Sequence, residues 1–246
     1  MPVLPDPGPP PVHGQPQAGF TLIELLVAIS IMALMALLSW RGLDGMTRTQ
    51  SQLQLRADEL LTLQAGLNQW GTDLDALIQL PQTQALDWDG RALRLTRRSA
   101  VVPANSDSAL SDEAVQVVAW ARRDIDGVGQ WLRWQSPALR TRGEVQAAWL
   151  LAAQWAQNPG DELKKREVRI GPLAQWTVFF YRGDAWTNPL SSVGASAPAT
   201  NASPVANALT STPDGVRLVL TLPPSQALSG VLTRDWIKPT VGGGKS

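Results

Sequence analysis

Gly19-Phe20-Thr21-Leu22-Ile23-Glu24-Leu25-Leu26-Val27-Ala28 opens the one long apolar run in this chain of 246 residues. The run extends from Thr21 to Trp40, and its single charged side chain is Glu24. As a helix, ~20 residues at ~1.5 Å rise per residue cover the ~30 Å hydrocarbon core of a bilayer. A carboxylate costs about 2.5–3.5 kcal/mol at mid-bilayer on insertion scales, and less near the interface, so an acid kept there reads as functional. A secretory signal fits less well, because its apolar core is ~7–15 residues long and ends at a small-residue cleavage site.

The residues from Gly19 onward resemble the type IV prepilin signal. Four features coincide: a Gly-Phe junction, a Glu close behind it, an uninterrupted apolar helix and a short leader. The resemblance implies that a dedicated prepilin peptidase/methyltransferase cuts after Gly19 and methylates the new N-terminus, Phe20. Glu24 then becomes the assembly carboxylate at the fifth mature position, where the family keeps a glutamate. The leader, residues 1–19, departs from the family pattern. It has five prolines in its first ten positions, no Lys or Arg, and one acid, Asp6. The nearest bases, Arg41 and Arg48, lie beyond the span. Positive charge tends to stay cytoplasmic, so charge alone would orient the span backwards. Either the cleavage machinery and partner contacts set orientation, or the true start codon lies elsewhere.

The helix is expected to continue past the span. Leu53, Leu60, Leu63, Leu67, Trp70, Leu74 and Leu77 recur at spacings that trace one helical face. Pro81 is expected to end it, which gives a helix from Thr21 to Leu80, ~90 Å long. With the prepilin resemblance, residues 20–40 are expected to be its transmembrane part and 41–80 its periplasmic stalk. Gly42 and Gly45 could permit a bend between the two. A coiled-coil dimer is a weaker reading, because the stripe lasts only about four heptads.

Beyond Pro81 the pattern shortens to alternating segments. Strands are predicted at Arg91–Arg98, Ala114–Ala121, Gly129–Gln135, Ala174–Arg182, Val216–Leu222 and Gly230–Ile237. Asp126-Gly127 signals a hairpin between the second and third of these. Gly143–Gln157 has helical spacing and is closed by Asn158-Pro159-Gly160. Residues 81–239 therefore read as a β-rich head, and the fold class as α+β with an antiparallel sheet packed on the stalk helix. This arrangement resembles the pilin fold. Leu190–Pro213 is a Ser/Ala/Thr/Asn/Pro tract that reads as a flexible surface loop. Residues 240–246 read as a flexible tail. Its Gly-Gly-Gly-Lys-Ser resembles the end of a phosphate loop but has no helix to follow it.

Composition narrows the function. The formal net charge is zero, cysteine is absent, and the only histidine, His13, lies in the leader. Ser-His-Asp and Cys-His catalysis and His- or Cys-ligated metal sites are excluded after Gly19. The pairs Asp73/Asp75 and Asp87/Asp89 read as solvated surface acids. Asp124-Ile125-Asp126-Gly127 lacks the downstream carboxylate of a calcium loop and reads as a turn. Arg91, Arg94, Arg97 and Arg98 could serve nucleic acid, but a solvated edge strand explains them more cheaply. No catalytic residue, cofactor or metal, and no nucleic-acid partner, is expected. The 11 tryptophans against 3 phenylalanines and 1 tyrosine point either to coding bias or to a Trp-rich core.

The whole chain is similar to the minor pseudopilin J family of type II secretion systems. The resemblance rests on Trp40-Arg41-Gly42-Leu43, Trp70-Gly71-Thr72-Asp73-Leu74, Trp131-Leu132-Arg133-Trp134 and Phe179-Phe180-Tyr181 followed by Trp186. It also rests on Pro213-Asp214-Gly215-Val216-Arg217 leading into Leu218-Val219-Leu220-Thr221-Leu222. It implies a single-pass protein of the Gram-negative inner membrane with its C-terminal head in the periplasm, in contact with membrane lipid. The implied partners are minor pseudopilins of the I and K types, the major pseudopilin, the prepilin peptidase/methyltransferase and the inner-membrane secretion platform. The alternative is a minor type IV pilin acting in pilus assembly, adhesion or DNA uptake.

Overall fold

A computed structural model describes residues 19–81, 83–99, 114–191, 212–224 and 226–239. The leader up to residue 18, most of the 190–213 tract and the 240–246 tail lie outside the described residues. The chain divides into two units, Met1–Leu53 and Gln54–Ser246.

Helix α1 spans Leu22–Asp75 and continues through Gly42 and Gly45 without a break. It stops before Leu80, the end expected from Pro81. Its last turn closes with Leu77 N–H donating to the Leu74 carbonyl at 3.1 Å. The chain then leaves the helix to join a strand. Ile78 N–H donates to Thr96 O at 3.0 Å, and Arg98 N–H to Ala76 O at 2.9 Å. A backbone offered these sheet partners satisfies its polar groups outside the helix.

The head holds two antiparallel sheets rather than the single one expected. The first comprises β1 (Leu86–Trp88), β2 (Ala92–Arg98), β3 (Val115–Ile125), β4 (Val128–Gln135) and β5 (Glu167–Pro172), in the order β1-β2-β3-β4-β5. The second comprises β6 (Gln175–Arg182), β7 (Ala185–Thr187), β8 (Gly215–Leu222) and β9 (Gly230–Ile237), in the order β7-β6-β8-β9. The β3–β4 hairpin turns on Asp126 and Gly127, with φ of 52° and 78°. Two successive left-handed residues make the tight turn whose twist matches antiparallel strands. Gly183 and Asp184, at φ 55° and 63°, join β6 to β7 in the same way.

Helix α2 (Arg142–Gln157) begins at a capping box. The Thr141 hydroxyl accepts from the Glu144 amide, and the Glu144 carboxylate accepts from the Thr141 amide. A single-turn helix, α3 (Asp161–Lys164), follows it. The first sheet is buried on both faces, so its strands deliver alternate residues to two cores. Val118 and Trp120 of β3 enter one core, with Trp70 and Leu74 of α1 and Phe180, Leu218 and Trp236 of the second sheet. Val117, Ala119 and Ala121 enter the other, against Ala148, Ala152 and Trp155 of α2. Alanines on both sides let the helix approach the strands closely. Eight of the 11 tryptophans are buried, which favours a Trp-rich core as the reason for their number.

Candidate processing and assembly site

Gly19, Phe20 and Thr21 precede the first helical residue and are not in regular structure. Phe20 is 89% exposed, and a Cβ at Gly19 would meet no atom within 4 Å. The Gly19–Phe20 peptide bond therefore lies in open backbone just outside α1, where a peptidase can bind it without unwinding the helix.

Thr21 starts α1 through a capping box of its own. The Glu24 amide donates to the Thr21 hydroxyl at 3.4 Å, and Glu24 Oε2 accepts from the Thr21 amide at 3.1 Å and the Thr21 hydroxyl at 3.0 Å. The acid also lies at the positive end of the helix dipole, where a carboxylate is favoured. Glu24 is thus held by its own chain rather than left bare in the apolar run. Ser30, further along, donates its hydroxyl to the Leu26 carbonyl at 2.8 Å, which removes the cost of a free hydroxyl in lipid.

Among the described residues α1 is the one helix long and apolar enough to cross a membrane. Every large apolar side chain from Phe20 to Met46 that bears on this is exposed in the single chain, Trp40 included. Among the described residues none buries these side chains.

The acids and bases of the head are placed differently from the sequence expectation. Asp73 is fully buried, not solvated. Arg133 forks onto both its oxygens at 2.8 Å, Trp120 Nε1 donates at 2.9 Å and Gln69 Nε2 at 2.9 Å, and Arg97 completes the cluster. Asp75 stays exposed, as expected, and accepts from Trp236 Nε1 at 2.8 Å. Asp87 lies in β1, and both Asp87 and Asp89 pair with Arg94. β2 is an internal strand, so Arg94 and Arg97 are not the solvated edge charges expected of them. Their strand acquires neighbours on both sides, and their heads must find carboxylates. Asp124 pairs with Arg122 at 2.7 Å, and Asp126 forms the hairpin turn. The sequence reading missed Arg133, Trp120 and Gln69 as partners of Asp73. One signal was available, since Asp73 falls between Trp70 and Leu74 on the apolar stripe of α1.

The family model for the prokaryotic N-terminal methylation motif matches residues 15–40. That range contains Gly19, Phe20, Glu24 and the whole apolar run. No curated protein matches the sequence. The chain thus carries a prokaryotic N-terminal methylation motif at the head of a long apolar helix in an α+β fold, and this supports a type IV pilin-like protein.

Proposed function

We propose that this protein is a minor pseudopilin of a type II secretion system, of the J type. Its role is structural. It is processed between Gly19 and Phe20, methylated at Phe20, held in the Gram-negative inner membrane by the first part of α1, and exposes its head to the periplasm. There it joins the I- and K-type minor subunits at the tip of the pseudopilus, above the major pseudopilin and the inner-membrane platform. The observation that carries the reading is the methylation motif with Glu24 as the sole charge of its apolar run.

The chemistry of the motif supports assembly. Before cleavage Phe20 has an amide, and Glu24 is satisfied by Thr21. Cleavage creates an α-amine at Phe20, a full positive charge at the rim of the span. An amine and a carboxylate in lipid relieve each other's desolvation when they pair. Pairing between the amine of one subunit and Glu24 of the next favours association and fixes axial register together.

The test is made in the native host. Intact-mass and N-terminal peptide analysis should find a mature chain starting at N-methylated Phe20, with Gly19→Val retaining the leader. Glu24→Ala should be cleaved and membrane-inserted but impaired in exoprotein release. Normal processing of Gly19→Val would overturn the cleavage site, and normal secretion by Glu24→Ala would overturn the pairing. Deletion that spares secretion but abolishes surface pili or DNA uptake would assign the chain to the minor type IV pilins.

A further inference from the structure

Where α1 first meets the rest of the second unit, it covers a cavity of about 270 Å³ that the assembly reading does not use. One wall is the stretch of α1 from Leu55 to Leu63, and a second is the end of β5 with Leu173. The third is the end of β8 with the loop that follows it. Two hydrogen bonds tie that loop across the other walls and keep the cavity open. The Ala227 amide donates to Glu59 Oε2 at 2.9 Å, and Gln226 Nε2 donates to the Pro172 carbonyl at 3.1 Å. Inside, Leu63, Ile170 and Leu173 present only hydrocarbon side chains. At the mouth, Leu55, Leu60 and Leu228 are 65%, 44% and 42% exposed. Single exposed leucines are ordinary, but three around one apolar cavity form a patch of the kind that marks an interaction site.

The charges on the lining are of one sign. Asp58 and Glu59 both line the cavity, and no lysine or arginine does. Arg56, the nearest base in the sequence, is not among the lining residues. The amide that Glu59 accepts from is neutral, so this carboxylate keeps its full charge. Among the described residues neither acid has a basic partner. Two adjacent carboxylates beside a low-dielectric wall make a local negative potential that attracts cations.

We infer that this cavity is the docking site for a basic, amphipathic segment of a partner protein. An apolar side chain of the segment enters between Leu63 and Ile170, and its neighbours cover Leu55, Leu60 and Leu228. A lysine or arginine beside it meets Asp58 and Glu59. The exposed leucines favour a polypeptide over a small amine, which could fill the cavity but would leave them in water. Every lining residue belongs to the second unit, so the site stands whether or not the Gly19–Phe20 bond is cut.

The probe is a fluorescein-labelled nonapeptide of alternating lysine and leucine. It is titrated by anisotropy against the full chain in phosphatidylcholine nanodiscs, which leave no detergent to fill the cavity. Glutamate–leucine and lysine–serine nonapeptides and empty nanodiscs serve as references. The lysine–leucine peptide should bind saturably to the protein, and neither reference peptide should. Asp58→Lys should weaken binding about tenfold or more by placing like charges together. Leu60→Gln should also weaken it about tenfold, the equivalent of about 1.4 kcal/mol of lost apolar contact. Both side chains are exposed, so the near-ultraviolet circular dichroism of the buried tryptophans should stay unchanged. Asp58→Asn, equal in size to the native residue, is the second variant and should weaken binding in the same direction. Equal binding by all variants, equally tight binding of either reference peptide, or no binding of the lysine–leucine peptide would overturn the proposal. Displacement of the peptide by octylamine at equal concentration would assign the cavity to small free amines and overturn it as well.

Discussion

Asp73 brings a negative charge into the fully buried interior and surrounds it with donors from three strands. Arg97, Trp120 and Arg133 lie 24, 47 and 60 residues away in sequence. Removing the carboxylate would leave two guanidinium groups buried without a counter-charge. We therefore expect Asp73→Ala to lower the unfolding free energy by about 3–5 kcal/mol, measured by urea titration. A change below ~1 kcal/mol would mean that water reaches the arginines and the cluster is not sealed. Gly66 presents the opposite case, a position defined by what it lacks. A Cβ there would collide with Cγ2 of Ile170 and touch the Trp131 ring at 3.2 Å. Gly66→Ala should cost about 1–3 kcal/mol through overpacking. Pairing it with Ile170→Ala should recover part of that loss in a double-mutant cycle. The role of Gly66 was not legible locally, and for Asp73 the one local signal was its place on the apolar stripe of α1. Asp73 looked like one of two acids in a helix, and its burial is decided by strands that the chain reaches only much later.

At the scale of elements, the readings that succeeded used short-range signals. Asp126-Gly127 gives its hairpin because only certain residues accept two left-handed conformations in a row. β3, β4, β6, β8 and β9 are visible in their apolar alternation or runs of β-branched residues. β5 carries only a four-residue alternation, Glu167-Val168-Arg169-Ile170, which was passed over; of its two apolar residues Val168 is exposed and Ile170 packs against the core. β2 was read as a strand, but its neighbours could not be read, and so its arginines were misplaced. The start of α2 was not anticipated as a capping box although Thr141 and Glu144 have the spacing for it. Thr141→Ala should cost about 1 kcal/mol. The amides of Arg140 and Thr141 hold the Glu144 carboxyl below its ordinary value of 4.5. A lowered folded value means the cap's contribution is complete above that ordinary value and is lost as pH falls through the lowered one. The difference in urea midpoint between wild type and Glu144→Gln should hence be constant near pH ~7 and shrink toward zero in strong acid. A difference that grows on acidification would contradict the cap.

At the scale of the whole molecule, the division at Leu53 separates two kinds of apolar residue that a composition count treats alike. Those from Phe20 to Met46 are exposed and suit lipid, while Trp70 and Leu74 are wholly buried. The earliest α1 side chain packed in the core is Leu63. Among the described residues, the first side-chain hydrogen bond from α1 to a distant segment is at Glu59, whose Oε2 accepts from the Ala227 amide at 2.9 Å. Among the described residues, the core of the second unit draws on α1 from Leu63 onward. A chain beginning at Gln54 should be soluble without detergent, keep the near-ultraviolet signature of its buried tryptophans and unfold in one cooperative step. A chain beginning at Gly71 loses Leu63, Leu67 and Trp70 from the core. Leu63 and Leu67 are partly buried and Trp70 wholly so. Losing a buried tryptophan costs about 3–5 kcal/mol and a buried leucine at most about 2–5 kcal/mol, so together they take away a large share of the roughly 5–15 kcal/mol that holds an ordinary domain. That shorter chain should show no cooperative transition. If the Gln54 chain also fails to fold, the apolar run contributes to the head as well as to the anchor, and the division at Leu53 is not a boundary of stability.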